Sequence, residues 1–148
     1  MLLKEKIKNY WHKLLHSNDS PHKVALGFSV GAFLGVFPTF GAGTVLAVAL
    51  CAVFRLNYVS AIAGSFIVMN PLTTPFFWGL SALAGGLIFS RDSKMIIEAV
   101  RNGHFYGEIG SITMIYLTGS MVVSLFVAAA SYPAVKTIML KSRNLIKS

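Results

Sequence analysis

Five polar side chains, Thr39, Thr44, Asn70, Thr73 and Thr74, stand out in sequence that otherwise offers little able to bind or react. They fall in two groups, Pro38-Thr39-Phe40-Gly41-Ala42-Gly43-Thr44 and Asn70-Pro71-Leu72-Thr73-Thr74-Pro75. Pro38, Gly41, Gly43, Pro71 and Pro75 interrupt helices, so each group predicts a place where backbone leaves helical geometry. A helix that restarts there exposes amide N–H groups and partial positive charge at its first turn. Asn70 is placed to cap a helix beginning at Pro71. Thr39, Gly43 or Thr44 can do the same for the half-helix after the first group. Two such starts aimed at one point would hold an anion, with the threonine hydroxyls as further donors. Arg55, beside Asn57, would supply positive charge there, or would reach a lipid head group from a helix interface. The competing reading is that the prolines kink two helices and the hydroxyls satisfy the carbonyls thereby freed.

Missing residue types narrow the chemistry. No charged side chain occurs from Val24 to Phe54, from Leu56 to Ser90, or from Ile109 to Val135. These stretches also lack histidine, so a buried proton carrier has no obvious residue. No zinc-protease, paired-cysteine, phosphate-loop or Ser–His–acid pattern is present. His12, His16, His22 and His104 lie in flanks or loops without metal-ligand spacing, and Cys51 is the sole cysteine. The expectation is a protein without catalytic residues, metal or cofactor; His22 and Glu108 are the only acid–base candidates near a membrane edge.

The elements that position these residues follow from the same charge gaps. Hydrophobic residues make up 55% of the 148 and charged residues 12%, against about 25% charged in ordinary soluble domains. Mean hydropathy is +0.66. Each uncharged stretch exceeds the roughly 20 residues that cross a bilayer as a helix. The net charge of +8 would elsewhere suggest nucleic acid. Here the cations cluster at the ends, as Lys4, Lys6, Lys8 and Lys13, then Lys136, Lys141, Arg143 and Lys147. That pattern predicts cytoplasmic ends near anionic lipid head groups, and an even number of crossings.

The reading is therefore all-α: a polytopic membrane protein with broken or re-entrant helices and an N-terminal interfacial amphipathic helix. Residues 1–20 form that helix, with Leu3, Ile7, Tyr10, Trp11, Leu14 and Leu15 on one face. Ser20 caps the next helix, with Pro21 at its first position. The membrane domain spans 21–135. It has broken segments at 22–55 and 57–90, a polar surface linker at 91–108 and a plain span at 109–132. Tyr132 and Pro133 end that span, and residues 136–148 form a basic tail. Apolar lengths on either side of each break suit half-helices or re-entrant hairpins, and broken segments at matching places in two halves point to a transporter-like site. Gly27, Gly31 and Gly35 form a small-residue stripe that predicts close helix packing, within the chain or between subunits; Ser120, Ser124 and Ala128 form a weaker one.

Taken in order, Ser20-Pro21-His22-Lys23-Val24-Ala25-Leu26-Gly27, Gly31, Gly35, Pro38-Thr39-Phe40-Gly41, Thr44, Arg55-Leu56-Asn57 and Asn70-Pro71-Leu72-Thr73 resemble a bacterial membrane family catalogued as domain of unknown function 2062. The resemblance covers about residues 20–130. Where that pattern often has Gln before Thr44, this chain has Gly43. The resemblance implies a bacterial inner-membrane protein, and the joining of some members to glycosyltransferase domains implies a link to envelope or polysaccharide metabolism. It supplies no reaction.

Two functions follow as expectations. One is transport or handling of an anionic solute or phosphate-bearing lipid, bound by Thr39, Thr44, Asn70 and Thr73 with Arg55. The other is a membrane scaffold or accessory subunit of an envelope-biosynthesis enzyme, resting on the glycine stripe. The expected partners are anionic membrane lipids, a second copy of the chain or that enzyme, and no nucleic acid.

Overall fold

The computed structural model describes residues 19–39, 41–89 and 105–147. Residues 1–18 of the expected interfacial helix and most of the linker at 91–108 lie outside them. The described residues form five helices: α1 (Pro21–Val36), α2 (Gly43–Val53), α3 (Tyr58–Val68), α4 (Thr74–Ile88) and α5 (Phe105–Lys147). There is no strand among them.

Local chemistry explains the boundaries of α1. The Ser20 hydroxyl accepts the Lys23 N–H at 3.3 Å, and Pro21 opens the first turn, as the sequence predicts. Phe37 is extended, at φ −66° and ψ 133°, because Pro38 disfavours helical geometry in the residue before it. Gly41 then takes φ +91°, a left-handed conformation that glycine adopts freely, and the chain turns into α2.

Helix directions can be read from facing pairs. Gly27 lies against Asn57 and Ser60, Gly31 against Ala61, and Gly35 toward Ser65, so α1 and α3 run parallel. Thr44 meets Ser65 through their hydroxyls at 3.0 Å, while Ala47 and Cys51 pack with Ala61, so α2 runs back against α3. The Asn57 N–H reaches the Lys23 carbonyl at 3.5 Å, returning the chain to the level where α1 began. Helices α1 and α2 are thus a hairpin with its apex at 37–42.

Helix α5 runs antiparallel to α1, with Met139 packed on Val24 and Val123 in one cluster with Val36. Gly85 abuts Ile115 and Gly119 abuts Ser81, so α4 is antiparallel to α5 and continues in the sense of α3. The two broken segments therefore differ: one folds back and the other carries on. They do not form a matched pair of halves.

Two sequence expectations need correction. No helix starts at Pro71; residues 71–73 are a turn and α4 begins at Thr74. The Asn70 carbonyl takes the N–H groups of both Thr73 and Thr74 at 2.9 Å, closing a turn with Pro71 in its second position. Pro133, at the end of the expected span, does not stop the helix: α5 continues through it to Lys147. Proline removes one helical hydrogen bond. Contacts beyond it, such as Met139 on Val24, hold the helix to α1.

Many large apolar side chains point outward, and several serines point inward. Ser60, Ser65, Ser81, Ser120 and Ser124 are fully buried, whereas Leu72 is 86% exposed and Leu87 82%. Ser29, Ser120 and Ser124 return their hydroxyl protons to carbonyls of their own helices, Ala25, Leu117 and Met121, each at 2.9 Å. Within α5, Ile112–Asn144 is long and apolar enough to cross a membrane by length and composition; α2, α3 and α4 are apolar and shorter.

The α1–α3 contact is the tightest place to test this packing. A methyl group on Gly31 would overlap the Ala61 backbone, whereas on Gly35 it would lie 3.2 Å from the Ser65 carbonyl oxygen. Gly31→Ala is expected to destabilise by about 1–3 kcal/mol through overpacking. Gly35→Ala is expected to change the unfolding midpoint little, as thermal unfolding in detergent would register.

Candidate functional site

The hairpin apex and the α3–α4 turn meet α5 around a partly open cavity of about 580 Å³. The first break contributes Phe37, Pro38, Thr39 and Gly41 to it. The second side contributes Val68, Met69, Thr74, Phe77 and Trp78, and α5 contributes Ile112, Thr113, Tyr116 and Leu117. The two interruptions therefore do converge on one place. The wall is apolar with four hydroxyls, those of Thr39, Thr74, Thr113 and Tyr116, and no charged lining residue. The Thr39 Oγ1 is buried and has no hydrogen-bond partner.

The other expected ligand residues, Thr44, Arg55, Asn70 and Thr73, do not line the cavity. Thr44 ties α2 to Ser65 of α3. The Thr73 hydroxyl donates to the Val68 carbonyl at 2.7 Å, and Thr74 donates to the Asn70 carbonyl at 2.8 Å. The Asn70 side chain accepts the Leu72 N–H at 3.3 Å, making an Asx turn. At the start of α4 the N–H groups are largely engaged. Thr74 gives its N–H to Asn70, Pro75 has none, and Phe77 gives its N–H to Thr73 at 3.1 Å. Helix α2 starts at Gly43 behind Ala42, with no side-chain cap. Arg55 follows the other end of α2, which at 1.5 Å per residue is about 16 Å away from Gly43.

A second polar assembly occupies that other end. Asn57 is buried and caps α3, its Oδ1 accepting the Ser60 N–H at 2.8 Å. Its Nδ2 donates to the Asp19 carboxylate at 2.7 Å, and Arg143 donates to the Asp19 carbonyl. His22 Nδ1 and the Tyr132 hydroxyl are 2.7 Å apart, with Lys136 above the Tyr132 ring at 5.5 Å from its centroid. This assembly joins α1, α3 and α5. No group of three or more potential metal ligands occurs among the described residues.

Sequence reasoning missed the α5 wall of the cavity. The usable signal was weak: Ile112 and Tyr116, like Thr113 and Leu117, are four apart and share a helix face, and Thr113 and Tyr116 are polar within an apolar run. It also missed the Asp19–Asn57–Arg143 connection, which joins residues up to 124 positions apart.

A family model described as "Uncharacterized protein conserved in bacteria (DUF2062)" matches residues 4–146. The chain belongs to that family. No curated protein and no solved structure matches it.

Asn57→Ala removes a helix cap and leaves Asp19 without its amide partner. The expected loss is about 1–3 kcal/mol, read as a lower unfolding midpoint. Asn70→Ala deletes one exposed side-chain bond and leaves the turn-forming carbonyl in place, so its midpoint is expected to fall by about 1 kcal/mol or less.

Proposed function

We propose that this protein is a membrane-embedded lipid-handling protein that holds an amphipathic lipid at the junction of the two breaks. The carrying observation is the cavity itself, apolar in most of its wall and bearing hydroxyls but no charge. Its volume of about 580 Å³ falls within the roughly 300–1,000 Å³ of small-molecule pockets. Non-helical backbone at membrane depth is tolerated where it lines such a space. An isolated inorganic anion would find no cation in the wall. An acyl chain suits the apolar wall, and Thr39, Thr74, Thr113 and Tyr116 suit an ester or hydroxyl group beside it.

On this reading α1–α2 is a re-entrant hairpin. With 16 residues, α1 reaches about 24 Å, short of the roughly 30 Å hydrocarbon core. The broken α3–α4 segment and α5 cross fully. Two crossings leave Asp19 and Arg143 on one side, the cytoplasmic side by their basic neighbours Lys23, Lys136 and Lys141. The exposed leucines and phenylalanines face acyl chains.

Native mass spectrometry of the full chain in mild detergent, with extraction of what stays bound, tests the proposal. The wild type is expected to retain one lipid. Thr113→Phe, which fills the cavity from α5, is expected to lose it while keeping its unfolding transition. Thr137→Phe, an exposed change elsewhere on α5, is expected to retain it. A lipid-free wild type would overturn the proposal and turn attention to a scaffold role, sought by pull-down for a stoichiometric partner.

A further inference from the structure

The turn between α2 and α3 carries an arginine where the backbone favours glycine. Arg55 has φ +52°, in the left-handed region. Its N–H bonds the Ala52 carbonyl at 3.3 Å and the Leu56 N–H bonds the Cys51 carbonyl at 2.8 Å. Leu56 also packs on the cluster that contains Cys51. These are the two hydrogen bonds and the apolar contact of a Schellman motif, whose left-handed residue is usually glycine. An arginine there resists the conformation it is held in. The turn would form more readily without it, so turn formation does not explain this side chain.

Its surroundings indicate what the side chain meets. Arg55 is exposed, and beside it Val53 is 75%, Phe54 66% and Tyr58 57% exposed. The described cationic side chains, Lys23, Arg55, Lys136, Lys141 and Arg143, all lie at this end of the helices. The one described carboxylate, Asp19, faces the Asn57 amide.

We propose that the α2–α3 turn binds the phosphate of an anionic phospholipid head group, with Arg55 as its ligand. The guanidinium matches phosphate oxygens in pairs, while Phe54 and Tyr58 enter the layer beneath the head groups, where aromatic side chains partition. Exposed apolar side chains on both sides of Arg55 fit a membrane lipid and not free phosphate. This site lies at the opposite end of α2 from the cavity and goes beyond the cavity proposal; it rests only on the bilayer placement.

The test uses the full chain in neutral detergent, with equal amounts of phosphatidylglycerol and phosphatidylcholine of identical acyl chains, read by native mass spectrometry. The wild type is expected to favour phosphatidylglycerol. Arg55→Gly is expected to raise the unfolding midpoint by a few degrees, because glycine accepts the left-handed backbone. It is also expected to lower the phosphatidylglycerol preference about fivefold, the factor for one basic residue at an anionic surface. Arg55→Gln, which removes the charge and keeps a long side chain, should lower the preference similarly, so the test does not depend on one variant folding. Wild-type preference retained in both variants would overturn the proposal. Thr113→Phe should leave this preference intact, and Arg55→Gly should leave the cavity lipid in place, so the two sites fail separately.

Discussion

The structure depends on direct backbone contact between α1 and α3. Gly27 and Gly31 of one helix and Gly64 of the other each lie where an added methyl would overlap the opposing backbone. Helices this close have little room for large side chains between them, so the interior is Ser60, Ala61, Ser65 and Ala32, and the bulk is turned outward. Burial of large apolar surface is therefore not what holds these two helices together. Close van der Waals packing does so, which is the form of helix association that works where the surroundings are as apolar as the side chains. The same device recurs at the α4–α5 contact, where Gly85 and Gly119 face Ile115 and Ser81.

That contact determines where the interruptions fall. With α1 and α3 parallel and in close register, Val36 and Val68 end at one level. The first break then turns the chain back as α2, and the second lets α4 continue along α5. One loop apex and one turn are thereby brought together, and α5 closes the third side. The cavity is thus the space left where a returning hairpin stops and a continuing helix passes it. Its neutrality follows as well, because Arg55, the one cation between the two long apolar stretches, is carried away by the full length of α2.

What was legible in the sequence was local. The Ser20-Pro21 helix start, the glycine stripe and the two interruptions are set by residues within a few positions of one another, and the structure contains all of them. The helix expected at Pro71 and the end expected at Pro133 failed for a shared reason. Each follows from adjacent residues, Asn70-Pro71 and Tyr132-Pro133, whereas the outcome depends on where donors and contacts go. At Asn70 the carbonyl captured two amides; beyond Pro133 a distant helix supplied the packing. Direction was illegible because whether a break folds the chain back or lets it continue depends on the helices it packs against.

The residues that carry the family resemblance have structural tasks. Ser20 caps a helix, Gly27 and Gly31 admit a neighbouring backbone, Pro38 and Gly41 turn the hairpin, Asn57 caps α3 and binds Asp19, and Asn70 closes a turn. A pattern made of such residues identifies an architecture and is silent about a ligand, which is why membership in the family comes without a reaction. Within this pattern Thr39 and Arg55 are the exceptions. The Thr39 hydroxyl is buried beside the cavity without a partner, and Arg55 occupies a turn position that favours a residue with no side chain. On the α5 wall, Thr113 and Tyr116 face the cavity while Ile115 and Gly119, on another face, hold α4. The chemistry of that wall is therefore separable from the packing that maintains it, and the hairpin supplies a fixed opposite side.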